Sequence, residues 1–484
     1  MLKRVLQSLT CALLVSLSTH SAHAINESQL PDIGTAGVSA LSIDREILYG
    51  NAFMRFARAG LPIIDDPVLN EYIDDLGQRL LTNADGVRFP FTFFLINDPS
   101  INAAAFLGGR VKVHTGLFLY AESESELASV LAHEITHVTQ RHIARYMEAQ
   151  VSSSAMTLAG LVGSIALAVI NPTAGIAALQ TTLGLSMQSA INYTRDNEYE
   201  ADRIGMKTLY DAGFDPMGMT NFFQKLAAEY RYASKPPEML LTHPLPETRI
   251  SEARARAGSY GRRALPPSLD FWLAKVRIQV RYGTETPQGL LTYFESRLQK
   301  GDYSLKDAAI YGKALALLQL KRTDEADTLM QELATRHPED LFVVDALTDI
   351  DLAKGRSAQA IARLERFRTR MPDNEVVVVN LGNAYLEAGN YKKSIAILDP
   401  YAREHDENSL AWSLLSDAYR KAGRMTDLHM ARAETLSLRG DYQAAIDELI
   451  VARGTTSDKL TLARIEARIT QLERAKKDLD SLKG

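Results

Sequence analysis

The chain has 484 residues, which at roughly 150 per domain allows about three units. Hydrophobic residues make up 46% and charged residues 23%, the balance of a core-forming chain and not of a disordered one. The net charge of −5 offers no basic footprint for nucleic acid, and the single cysteine, Cys11, excludes an internal disulfide scaffold, a cysteine zinc cluster and thiol catalysis.

The first residues predict export. Met1 to Arg4 is a short basic start, Val5 to Ser18 is apolar, and Ser21-Ala22-His23-Ala24 carries the small residues of an A-x-A cleavage pattern. A signal peptide over 1–24, cleaved after Ala24, is expected. The apolar core is too short to cross ~30 Å of hydrocarbon as a helix. Cys11 lies inside the run and not at its end, which argues against lipoprotein acylation.

Short extended runs then mix with helical patterns. Phe91 to Ile96 predicts a strand ended by Asn97-Asp98-Pro99. Val111 to Thr115 alternates apolar and polar after Gly108-Gly109, which predicts a hairpin strand with one exposed face, an edge for pairing with an extended peptide. Ser123 and Glu126 form a capping box ahead of Leu127, Val130 and Leu131, so a helix is expected from there to about Met147. Residues 149–194 contain no charged side chain. Ala155 to Ile170 within them is nearly all apolar and marginal in length for a span. The stretch reads as an apolar lid or a surface dipping into a membrane, with a buried core hairpin and a true span as alternatives. Charged helical sequence resumes at Arg195, and turn residues cluster at Ser259–Gly261 and Pro266-Pro267, where the first domain boundary is expected.

A repeat follows. Ala326, Ala360 and Ser394 are spaced by 34 residues, as are Gly355, Gly389 and Gly423, and Pro338 and Pro372. Leu381-Gly382 and Tyr385 in one copy, and Trp412, Leu415 and Tyr419 in the next, complete a tetratricopeptide signature. Earlier copies lack the Gly-Tyr pair, and the spacing slips between Gly423 and Gly440. Such arrays stack helix pairs into a solenoid whose concave face binds extended or helical segments. A polar helix from Asp458 to Leu482 is expected to cap it.

The chemistry lies earlier, in His133-Glu134-Ile135-Thr136-His137, an H-E-x-x-H motif. On a helix, residues four apart share a face one turn apart, so both imidazoles can meet one zinc while Glu134 serves as general base. A catalytic zinc takes three protein ligands and keeps an open position. Glu198 and Asp202 are also four apart, which suits Glu198 as third ligand and Asp202 as the carboxylate that orients a ligand histidine. A solvated helical face accounts for that pair equally well. Glu200, between them, points elsewhere. His142 is five residues beyond His137, off the metal face, and reads as surface; His114 reads as lining the sheet. His337, His405 and His429 belong to the repeats.

His133-Glu134-x-x-His137 with Glu198-x-x-x-Asp202 resembles the zinc metallopeptidase family that contains the CAAX prenyl proteases and the heat-shock membrane protease. The likeness extends over Asn102-Ala103, Gly108-Gly109, His243-Pro244 and Arg249, hence most of residues 40–250. It departs in one respect: membrane members carry spanning helices, and this chain has no convincing one, which disfavours prenyl-protein processing. The resemblance implies a zincin-like fold over 25–262, mainly α with a small β-sheet. A helical linker over 263–305 and an α-solenoid of tetratricopeptide repeats over 306–484 complete the expected order. It also implies one zinc per chain on His133, His137 and Glu198, with Glu134 as base. His243, on a loop over the site, enters as a fourth ligand that displaces the water and holds the enzyme latent. Arg249 stabilises the oxyanion or forms a plain salt bridge. For an exported member with such an array, the resemblance implies a periplasmic protease and chaperone-like factor. Its partners would be the outer-membrane β-barrel assembly machinery and stalled precursors, including the lipopolysaccharide-transport barrel. A non-proteolytic assembly adaptor with a mainly structural zinc is the alternative.

Overall fold

The computed structural model describes residues 41–150, 163, 187–232 and 238–481. The expected signal peptide and nearly all of the charge-free stretch lie outside these residues. No helix among the described residues is long and apolar enough to cross a membrane.

Capping starts the first helices. Ser42 accepts from the Arg45 N–H to open α1 (Ile43–Gly60), and Asp66 with Pro67 opens α2 (Pro67–Leu81). Strands β1 (Thr92–Ile96), β2 (Ala103–Phe106) and β3 (Arg110–His114) form one sheet in the order β1-β3-β2. β3 runs parallel to β1 and antiparallel to β2. The β2–β3 turn needs both its glycines: Gly108 and Gly109 have φ of +71° and +74°, and a Cβ on either would meet a backbone oxygen within 2.8 Å. The hairpin partner is therefore as expected, but the edge is not. β3 is the central strand and every residue in it is buried, because β1, contributed from upstream, covers its other side. Its alternation reports Lys112 and His114 buried within the domain rather than facing solvent.

α3 (Thr115–Tyr120) leads into α4 (Glu124–Thr139), which packs across α2 and β2. Ser123 caps α4 as expected, accepting from the Glu126 N–H at 3.3 Å, while the Glu126 carboxylate takes the Glu122 N–H and Lys225 instead of completing the box. α4 ends at Thr139, short of Met147. Arg141 adopts φ +52°, and a separate helix, α5 (His142–Gln150), begins beyond it. The domain continues with α6 (Met187–Asp211), α7 (Met217–Tyr232), α8 (Glu238–Thr242) and α9 (Glu247–Tyr260).

Twelve helices complete the described chain: α10 (Leu269–Tyr282), α11 (Pro287–Lys300), α12 (Lys306–Gln319), α13 (Thr323–Arg336), α14 (Leu341–Ala353), α15 (Ser357–Arg368), α16 (Glu375–Glu387), α17 (Tyr391–Glu404), α18 (Ser409–Lys421), α19 (Met425–Leu438), α20 (Tyr442–Gly454) and α21 (Lys459–Ser481). The periodic glycines Gly355, Gly389 and Gly423 sit at left-handed turns between paired helices. Part of the array is already covered: α14 and α16 pack on α2 of the first domain. That explains Val376 to Val379, four consecutive buried valines on a helix covered on several sides. One hydrophobic cluster runs from Leu76, Phe91 and Leu131 into Val280, Leu315 and Leu347, so the first repeats share a core with the upstream domain.

A cleft of about 710 Å³ remains along this seam, bordered by Arg58, Asp65, Glu71, Tyr401 and Glu407. Within it burial, with the Glu71 and Asp65 carboxylates, pushes Glu375 up to about 7 against a hydrogen bond from Asn408. The folded chain thus holds this proton more tightly than the unfolded chain does. Its contribution to stability is complete below pH about 4.5 and is lost as pH rises through about 7. Melting temperature measured across that window should fall more steeply with pH in the native chain than in Glu375→Gln.

Candidate active site

Two crossing helices and one loop build the site. α4 presents His133 and His137 from one face, with their Nε2 atoms 3.0 Å apart. α6 crosses close to α4 because residue 205 is glycine: a Cβ there would meet Ala132 and the His133 nitrogen at 3.1 Å. That approach brings Glu198 within 3.3 Å of both histidines. The loop after α8 delivers His243, whose Nδ1 is 3.4 Å from His133 Nε2 and 3.0 Å from Glu198 Oε1. Ligand atoms of His133, His137, Glu198 and His243 all lie within 4.8 Å of one another. Glu134 stands beside them, 1% exposed. Its Oε2 accepts the Ala105 N–H of β2 at 2.8 Å, and its Oε1, with no hydrogen bond, lies 3.5 Å from His243 Nε2.

The electrostatics of the cluster suit a cation. Burial opposes a charge on His133, yet Glu198, helped by Asp202, lifts it to about 10; at His137 burial wins over Glu198 and the ring falls to about 3. Burial alone would raise Glu198, but His243, Arg249 and both motif histidines hold it well below the usual carboxylate range. Three imidazole nitrogens and a carboxylate facing one point form a donor set suited to a divalent metal.

Support for the donors is also legible. Asp202 Oδ1 is 3.0 Å from His133 Nδ1. Arg249, 2% exposed, donates from Nε and Nη2 to Asp202 and from Nη1 to the Pro244 carbonyl, with Glu198 Oε2 2.8 Å from that nitrogen. These contacts form a salt bridge that ties the His243 loop to α6. Glu200 points away from the cluster.

His142 overturns its surface reading. It is 3% exposed, with Nδ1 2.8 Å from His137 Nδ1 and Nε2 3.1 Å from Glu200. A continuous helix would swing residue 142 off the metal face; the left-handed Arg141 returns it. The signal lay in a second histidine within reach of the motif together with an acidic partner, and it was masked by the assumption of unbroken helix.

Such a centre, in a mainly helical domain with a small sheet and a tetratricopeptide array, defines a metalloendopeptidase. The chain belongs to peptidase family M48, whose model matches residues 67–257, while tetratricopeptide-repeat models match 308–340 and 351–418. It is 54% identical over 322 residues to the putative beta-barrel assembly-enhancing protease of Vibrio cholerae, covering 66% of each chain. Against the beta-barrel assembly-enhancing proteases of Yersinia pestis and Escherichia coli the identities are 50% over 335 residues and 46% over 343. Those matches cover 69% of both chains for Yersinia, and 71% of this chain and 70% of its relative for Escherichia. The chain thus matches about two thirds of the length of these relatives.

Proposed function

We propose that this chain is a zinc-dependent endopeptidase of the periplasm in outer-membrane protein quality control. It degrades misassembled β-barrel precursors, the lipopolysaccharide-transport barrel among them, and promotes assembly of others, working with the β-barrel assembly machinery. The observation that carries the reading is the convergence of His133, His137, Glu198 and His243 beside the buried Glu134. The names of its relatives supply the biological setting. The mature chain begins after Ala24, with the peptidase over 25–262, a helical linker over 263–305 and the repeats over 306–484.

One zinc per chain is held by His133, His137 and Glu198, with His243 as fourth ligand at rest. Spacings of 3.0–3.4 Å from His133 to His137, His243 and Glu198, and from His137 to Glu198, within a set whose ligand atoms all lie within 4.8 Å of one another, would let these residues hold one such ion. Zinc supplies Lewis acidity and brings the pKa of water down to about 7. Glu134 takes the proton released as water attacks the scissile carbonyl, and returns it to the leaving amine. Asp202 fixes the His133 ring, and Arg249 fixes Asp202 and Glu198. The substrate edge moves from β3 to β2. Antiparallel alternation turns the backbone of Ala103 and Ala105 away from β3, and Ala105 already meets Glu134 there. An extended segment paired along β2 lies across the base.

Four protein donors also match a structural zinc, which is the observation that favours the adaptor reading. His243→Ala separates the two. A latent peptidase becomes more active towards an unfolded protein and degrades itself, whereas an adaptor stays inert with zinc still bound.

A further inference from the structure

We propose that His142 and Glu200 are positioning residues of the metal centre: together they fix the tautomer and orientation of His137. The inference rests on the reading that His137 holds the metal through Nε2. That nitrogen faces the donor cluster, 3.0 Å from His133 Nε2 and 3.3 Å from Glu198 Oε1. The opposite nitrogen, Nδ1, lies 2.8 Å from His142 Nδ1. Two ring nitrogens at that distance share one hydrogen, so one donates and the other accepts. A ring that gives its Nε2 lone pair to a cation keeps its hydrogen on Nδ1, which makes His137 the donor and His142 the acceptor. His142 then carries its own hydrogen on Nε2, aimed at Glu200 Oε2 3.1 Å away. Arg145 Nη1 holds the same oxygen at 2.8 Å.

The two motif histidines are thereby backed in different ways. His133 meets a carboxylate directly, through Asp202 at 3.0 Å. His137 reaches one through a second imidazole standing nearly perpendicular to it, at 83° between ring planes. The backbone is bent to allow this. Arg141 takes φ +52°, uncommon for a residue with a Cβ, and its guanidinium is anchored by Glu46 Oε1 at 2.7 Å and the Leu41 carbonyl at 2.5 Å. Both anchors lie about a hundred residues upstream, at the start of α1. The turn they hold puts His142 against His137 instead of off the metal face.

The test measures zinc affinity of the mature full chain by chelator competition, with melting temperatures of the metal-free and zinc-loaded forms. His142→Leu, which removes the acceptor, should weaken zinc binding by about 10–100-fold, the usual effect of removing such a partner. His142→Asn, which keeps an acceptor near the Nδ1 position, should restore most of the affinity. Glu200→Gln should lose less than His142→Leu. Should His142→Leu fail to fold, the Asn and Gln variants carry the test: Asn close to native with Gln weakened supports the relay. A merely structural role lowers both melting temperatures equally and leaves affinity and the zinc-induced gain unchanged. Native affinity in all His142 and Glu200 variants, with binding lost in His137→Ala, overturns this inference alone. Native affinity in His137→Ala overturns the ligand assignment beneath it.

Discussion

Glu134→Gln is expected to abolish detectable proteolysis while zinc stays bound at native affinity. A positioned general base contributes about 10²–10⁴-fold, and this side chain has no substitute: among the described residues it is the carboxylate of the H-E-x-x-H helix facing the donor cluster from beside it. The isosteric amide can still accept the Ala105 N–H that holds Oε2 at 2.8 Å, so the variant keeps its shape and loses only the ability to take a proton. Burial pushes the Glu134 carboxyl up, countered by His243 and His133. Cleavage of an unfolded protein, read beside metal content, decides the matter. Cleavage at the native rate with full zinc removes Glu134 from the reaction; loss of both cleavage and zinc makes it a structural support instead.

What the sequence disclosed follows the range of the interactions involved. His133, Glu134 and His137 were legible because one helical turn places them, and the 34-residue glycines because each repeat sets its own left-handed turn. The spacing suited Glu198 and Asp202 to the α4 histidines as ligand and orienting carboxylate, but it could not tell that arrangement from a solvated face, because the meeting of the two helices was not legible. That depends on Gly205 allowing two helices to touch, which is a tertiary fact. The Val111–Thr115 edge failed because alternation reports which residues differ in polarity, not which strand lies beyond. β1 adds from upstream and buries Lys112 and His114. His142 failed through one dihedral angle at Arg141, set by Glu46 and Leu41 far away in sequence. The packing of α14 and α16 on α2 was also recorded in the sequence, though not read from it. The buried run Val376–Val379 already recorded that α16 is covered, since a repeat helix with a free face has no reason to be apolar all round.

Arg277 governs how the array is held to the peptidase domain, and Arg277→Leu should cost about 3–5 kcal/mol, the loss typical when one member of a buried ion cluster is removed. The guanidinium is 1% exposed on α10. Its Nε lies 2.8 Å from Asp66, and its Nη1 lies 2.7 Å from Asp345 and 3.0 Å from the Tyr311 hydroxyl. Asp66 also caps α2, and Asp345 sits on α14, so one cation closes three elements around the shared core. Leucine fills the space but leaves two carboxylates buried. Arg281 remains at 4.0 and 3.9 Å from them, too far for a hydrogen bond to either. The penalty comes from charge that Arg281 compensates only in part and not from lost packing, so adding Asp345→Asn to the leucine variant should recover part of it. Urea unfolding of the mature chain measures both changes. Proteolysis between α9 and α10 should accelerate in the single variant and slow again in the double. If the double variant is no more stable than the single, the charge argument fails and Arg277 acts through its packing alone.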